Sequence, residues 1–134
     1  PPHPFQGYVP VGNVTLTSKL DRTSLREGEG IQLEVILQGD ANLRPLQIPL
    51  PKELEALCEV FPETPTVQTE VQGDRVITTK RFRFGLVPKR AESFTLPTIS
   101  VLTFLPEKGE YRTLTTRSAQ IEVVADPNRQ RVPE

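Results

Sequence analysis

Between residues 13 and 125, apolar side chains recur at every second position, the period of a strand with one buried face. The clearest run is 31–38. There Ile31, Leu33, Val35 and Leu37 are apolar, and the intervening positions are polar except Ile36. Val14 and Leu16 alternate with Thr15 and Thr17 and predict an earlier strand. The segment between them, with Gly28 and Gly30, predicts a turn. Residues 66–72 and 75–86 predict a long hairpin around Gly73-Asp74, because Gly at the first central position suits a two-residue type II′ turn. That turn sets Val71 opposite Val76 and Thr69 opposite Thr78. Along the second arm Val76, Thr78, Lys80, Phe82, Phe84 and Leu86 share one face. Arg75, Ile77, Thr79, Arg81 and Arg83 share the other. Lys80 breaks the apolar phase, which predicts a place near a sheet edge where its head reaches water.

Further short strands are expected over 93–96, 99–105, 111–115 and 119–124, the middle two separated by the turn Pro106-Glu107-Lys108-Gly109. The run Pro45-Leu46-Gln47-Ile48-Pro49-Leu50-Pro51 reads as an edge strand or an irregular crossing, since proline cannot donate to a ladder. Residues 51–57 hold the one plausible helical turn, with Pro51 at its start and acids in its first turn. The whole predicts an all-β fold: an antiparallel immunoglobulin-like sandwich of about seven to nine strands. Residues 1–12, rich in proline, read as a linker, residues 13–125 as the sandwich, and residues 126–134 as a polar linker.

Composition narrows the function more by exclusion than by indication. The chain has 134 residues, enough for one domain with a single core. Its 16 basic and 17 acidic side chains nearly balance, which argues against nucleic acid as a partner. One Cys and one His make neither an internal disulfide nor a zinc site, and no metal or cofactor is expected. No apolar run approaches the ~18–20 residues needed to cross a bilayer, so this stretch is expected to be soluble. The absence of Met, with a start at Pro1-Pro2-His3-Pro4, suggests a processed product or a piece of a longer protein.

Candidate chemistry is thin. A nucleophilic enzyme would need Cys58 or an activated Ser. Cys58 lies in an apolar stretch and reads as a core thiol, and His3 lies in the proline-rich tail. Glu53, Glu55, Glu59, Glu63 and Glu70 form an acidic stretch, but without a calcium-loop spacing they read as a solvated face. Asn13-Val14-Thr15 matches a glycosylation acceptor that matters only in a eukaryotic secreted protein. The bases Arg75, Lys80, Arg81, Arg83, Lys89 and Arg90 follow the acids without interruption. Strand parity separates Arg81 and Arg83 from Phe82 and Phe84, so the aromatics read as core and the arginines as an outward cationic stripe. That stripe either answers the acidic stretch across neighbouring strands or docks an acidic partner. Arg81, Arg83, Lys89 and Arg90 are the candidate docking face. A carbohydrate-binding or adhesin-type domain is the alternative, with Phe5, Tyr8 and Tyr111 as its aromatics.

One ordered set of motifs is shared with a known family. It comprises Gly12-Asn13-Val14-Thr15-Leu16, then Leu25-Arg26-Glu27-Gly28-Glu29, then Gly39-Asp40-Ala41-Asn42-Leu43. Arg81-Phe82-Arg83-Phe84-Gly85-Leu86-Val87-Pro88 and Phe94-Thr95-Leu96-Pro97-Thr98-Ile99-Ser100-Val101 complete it. In this order they resemble a repeat domain of the BatD-like bacterial oxygen tolerance (aerotolerance) proteins. Glu92 departs from the pattern, standing where the family tends to carry Gly. The resemblance implies an exported parent with a signal peptide, several immunoglobulin-like domains and a membrane-spanning helix near its C-terminus. It implies a place in the periplasm or cell envelope, reaching the membrane only through other parts of that parent. It implies partners among envelope proteins, von Willebrand A-domain proteins included, and a complex linked to stress resistance. It carries no catalytic residues. Gly39, Asn42, Pro88 and Pro97 read as structural: a strand end, a self-bonded turn and two strand-end prolines.

Overall fold

The computed structural model describes residues 6–127. Ten strands and one short helix form two facing layers. The first layer has the order β1(Val14–Leu20), β3(Ile31–Gly39), β6(Arg75–Pro88) and β4(Cys58–Pro62), with β5(Thr66–Gln72) also paired to β6. All of these pairs are antiparallel. The second layer is assembled from β2(Ser24–Arg26), β10(Ala119–Val124) and β7(Phe94–Leu96), together with the hairpin of β8(Ser100–Leu105) and β9(Glu110–Thr115). β2 runs parallel to β10. This is the arrangement of an immunoglobulin-like sandwich.

The alternation read from the sequence is the alternation of burial. Ile31, Leu33, Val35 and Leu37 of β3 point inward beside Phe82, Phe84 and Leu86 of β6. They meet Leu25, Leu96, Val101, Ile121 and Val123 from the other layer. Leu43, Leu46 and Leu54, carried by the irregular crossing and by α1(Lys52–Leu57), plug one side of the core. Pro51 caps the helix from an extended conformation without a side-chain bond, and Glu53 and Glu55 fill its first turn.

The predicted hairpin is present in the predicted register, Val71 opposite Val76 and Thr69 opposite Thr78. Gly73 has φ +66° while Asp74 is not at positive φ, which is the type II′ pattern. β4 and β5 lie end to end along the same side of β6. Pro62 pairs with Phe84 and Thr66 with Arg81, so three residues of this edge face two of β6. The result is a β-bulge, pinned where the Glu63 N–H donates to the Arg83 carbonyl at 2.9 Å.

Several expectations are corrected. The segment 24–30, expected as a turn, begins with β2, because Leu25 is buried against β10. The Cys58–Pro62 strand was not expected, its alternation being cut short by Pro62 and Pro65. Residues 6–12, assigned above to a linker, lie along β8. Gln6 bonds both backbone groups of Leu102 at 2.8 Å, Phe104 donates to the Pro10 carbonyl at 3.0 Å, and Gly12 donates back to Phe104 at 2.9 Å. Proline lacks a donor but its carbonyl still accepts, so a proline-rich stretch can hold a strand edge. The rest of that assigned linker, with His3 and Phe5, lies outside the described residues, as do residues 128–134 of the second.

Candidate docking surface

The outer face of the first layer carries the cationic stripe. Arg81 and Arg83 point outward from β6, as parity requires, and both converge on Glu34 of β3. Arg83 Nε donates to Glu34 Oε2 at 2.9 Å, and Arg81 Nη1 lies 3.6 Å from Glu34 Oε1. The arginines' counter-charge is therefore this neighbour on β3, and not the acidic stretch between Glu53 and Glu70. Of that stretch, Glu63 instead accepts a bond from Gln32 at 2.7 Å. Two guanidinium groups on one carboxylate leave the cluster with a net positive charge. Such half-exposed pairs contribute only ~0–1 kcal/mol each, so the cluster fixes side-chain geometry more than it stabilises the fold.

Lys89 and Arg90 are exposed beyond the end of β6. Eight positions of strand separate Arg81 from Lys89, roughly 26 Å at ~3.3 Å per residue. The four candidate residues thus form two stations along one strand. Lys89 is held there through its backbone N–H, which donates to the Leu57 carbonyl at 2.9 Å.

Lys80 is not at an edge. β3 flanks it on one side of β6 and β5 on the other, and it is only 6% exposed. Its Nζ donates to the carbonyls of Arg44 and Leu46, each at 2.7 Å, and sits 5.0 Å from the centre of the Phe82 ring. Burial holds its pKa below the ordinary lysine value. The ammonium ties the proline-punctuated crossing to the underside of the sheet that bears Arg81 and Arg83.

A second tie was not foreseen. Asp40 accepts the Asn13 N–H at 2.7 Å on one oxygen and Arg75 Nη2 at 2.8 Å on the other. It joins the ends of β1, β3 and β6 at one corner. The Asn13 N–H, helped by Arg75, holds its carboxyl below the usual carboxylate range. The sequence signal was Gly39-Asp40 itself. Gly39 is needed because a Cβ there would lie 2.0 Å from the Asn13 carbonyl oxygen. Asn42 accepts the Arg44 N–H at 3.3 Å through its side chain, closing its own turn. Pro88 ends β6 opposite Cys58, and Pro97 follows β7.

Cys58 is 1% exposed, and burial pushes its thiol up to about 11 against a smaller opposing effect of Lys89. It is a protonated core side chain. Of the expected aromatics, Tyr8 is half-buried with its hydroxyl donating to the Asn42 carbonyl at 2.8 Å. Tyr111 is 66% exposed and packs edge-on against Phe104. Phe61, 54% exposed on the outer side of β4, was missed because its strand was missed.

Geometry and chemistry together describe a small two-layer β domain whose ordered polar groups fasten strands and loops to one another and leave an outward charged sheet face. Profiles of known families match the BatD DUF11 like domain over residues 18–123, and the chain belongs to the BatD family. No curated protein matches it. Among the described residues no helix is long and apolar enough to cross a membrane.

Proposed function

We propose that this domain is a non-catalytic protein-interaction module of an exported, membrane-anchored oxygen tolerance protein. It works in the periplasm or cell envelope, where it helps hold a complex that includes von Willebrand A-domain proteins. Family membership supports the setting. The observation that carries the docking role is the Arg81–Glu34–Arg83 cluster. Its guanidinium groups are pre-oriented by a shared carboxylate on an uncovered sheet face, with surplus positive charge to steer an acidic partner.

Capture of a von Willebrand A-domain protein encoded beside the parent gene tests this reading. Arg81→Glu/Arg83→Glu is expected to lower capture at least tenfold and to remove its salt dependence, with an unchanged circular dichroism spectrum. Undiminished capture by the folded double variant would rule this face out.

A further inference from the structure

The edge formed by β5 is open and self-complementary. A two-residue turn makes Gln72 and Arg75 the hydrogen-bonded pair that closes the hairpin. Counting back by twos, Glu70, Gln68 and Thr66 also spend their backbone groups on β6. The N–H and C=O groups of Val67, Thr69 and Val71 consequently point away from it, and among the described residues no other strand pairs with β5. Open edges are usually guarded by a lysine, a proline or a covering segment. Among the strands here, β1 has Lys19, β4 has Pro62 and β9 has Arg112. β5, Thr66-Val67-Gln68-Thr69-Glu70-Val71-Gln72, has no basic residue and no proline.

Its sequence is close to a palindrome about Thr69. Antiparallel pairing with an identical strand places Thr69 opposite Thr69, Val67 opposite Val71, and Gln68 opposite Glu70. In this register the six unspent backbone groups of each strand meet those of the other. No like charges stand directly opposed, and each Glu70 faces an amide that can donate to it. The valines fall on the face shared with Val76. Val71 is 72% and Val76 54% exposed, because the tip of the hairpin extends past the end of β3. A second copy would bring its Val67 onto this pair and cover two such clusters at once. Pro65 before the strand and the Gly73 turn after it confine the pairing to the length of β5.

We propose that β5 is the site at which a second copy of this chain adds edge to edge, about a twofold axis at Thr69, joining two first-layer sheets into one. Two strands of this length bury less than the ~1,000 Å² expected of a permanent interface, so the association is weak and reversible.

Sedimentation equilibrium and amide hydrogen exchange, followed as concentration is raised to about 1 mM, test it. The mean mass is expected to climb from the 15.0 kDa monomer toward twice that value. The amides of Val67, Thr69 and Val71 are expected to gain protection with concentration, while those of Gln68, Glu70 and Gln72 stay protected throughout. Thr69→Lys puts two ammonium groups face to face at the axis and is expected to weaken the dimer about tenfold or more. Thr69→Pro deletes the central donor without touching the bonds to β6, and a matching loss is expected. A mass that stays monomeric at 1 mM overturns the proposal, as does a dimer unaffected by Thr69→Lys. Protection of the same amides only on adding another protein's strand also overturns it, by giving the edge to a different partner.

Discussion

Replacing Lys80 with methionine keeps most of the unbranched stem of the side chain and removes its charge and donors. Two carbonyls then lose their partner. That of Leu46 is buried, and leaving it unsatisfied costs about 1–3 kcal/mol. That of Arg44 is less enclosed and can recruit water, so about 1 kcal/mol is assigned to it. The contact with the Phe82 ring adds ~0.5–1 kcal/mol to the loss. Against this stands relief from burying an ammonium, the same effect that lowers the Lys80 pKa. The net expectation for Lys80→Met is a loss of about 1–3 kcal/mol. At roughly 3–4 °C per kcal/mol for a domain of this size, the melting temperature falls by about 3–12 °C. Urea unfolding at several pH values is the assay. Between its folded pKa and the unfolded value of about 10.4, Lys80 binds fewer protons in the folded protein than in the unfolded one. Wild-type stability therefore rises with pH through that window, and the methionine variant, lacking the group, does not follow. The gap between the two should widen on the alkaline side. A variant as stable as wild type at neutral pH would refute the reasoning, since desolvation would then outweigh the two carbonyl bonds.

Asp40→Asn leaves Arg75 without its anion and weakens the bond from Asn13, with an expected loss of about 1–2 kcal/mol at pH 7 in urea unfolding. Because the folded Asp40 pKa is depressed, this contribution is complete above the unfolded value of about 3.9. It disappears as pH falls through the folded one, so the two proteins should converge in acid. Cys58, buried and with its thiol raised to about 11, should resist a disulfide reagent at pH 8 in the folded protein and react fully in urea. Rapid labelling of the folded protein would show that this part of the core opens locally.

The residues explain why some features were legible in the sequence and others were not. The hairpin register follows from Gly73 and the alternation on each side of it, all local information. The outward placement of Arg81 and Arg83 follows from parity in the same way. Lys80 was misplaced because parity gives the face of a strand and not its neighbours. Its burial depends on β5, on β3 and on the path of the crossing at Arg44 and Leu46, an irregular segment that has no period to read. Asp40 cannot be read as a tie from its local sequence, because both of its partners, Asn13 and Arg75, are distant along the chain. Sequence alone offers the arginines either the acidic stretch or an acidic partner, whereas Glu34, a single acid inside an apolar strand, stands in register with Arg83. The prolines of residues 6–12 read as a linker, yet the carbonyl of Pro10 and the side chain of Gln6 show how such a segment can still join a sheet edge.

Gln6 finds its partner, Leu102, 96 positions further along. β2, near the start of the domain, pairs only with β10, at its end. Neither contact can form until nearly the whole domain has emerged from the ribosome or from a translocation channel. Until then β1 and β3 can come together locally, while β2 and the strap ahead of β1 wait unpaired. The domain therefore closes late and as a unit, on the millisecond-to-second scale of sandwiches rich in distant contacts. During that interval its first strands are the part most in need of a chaperone's cover.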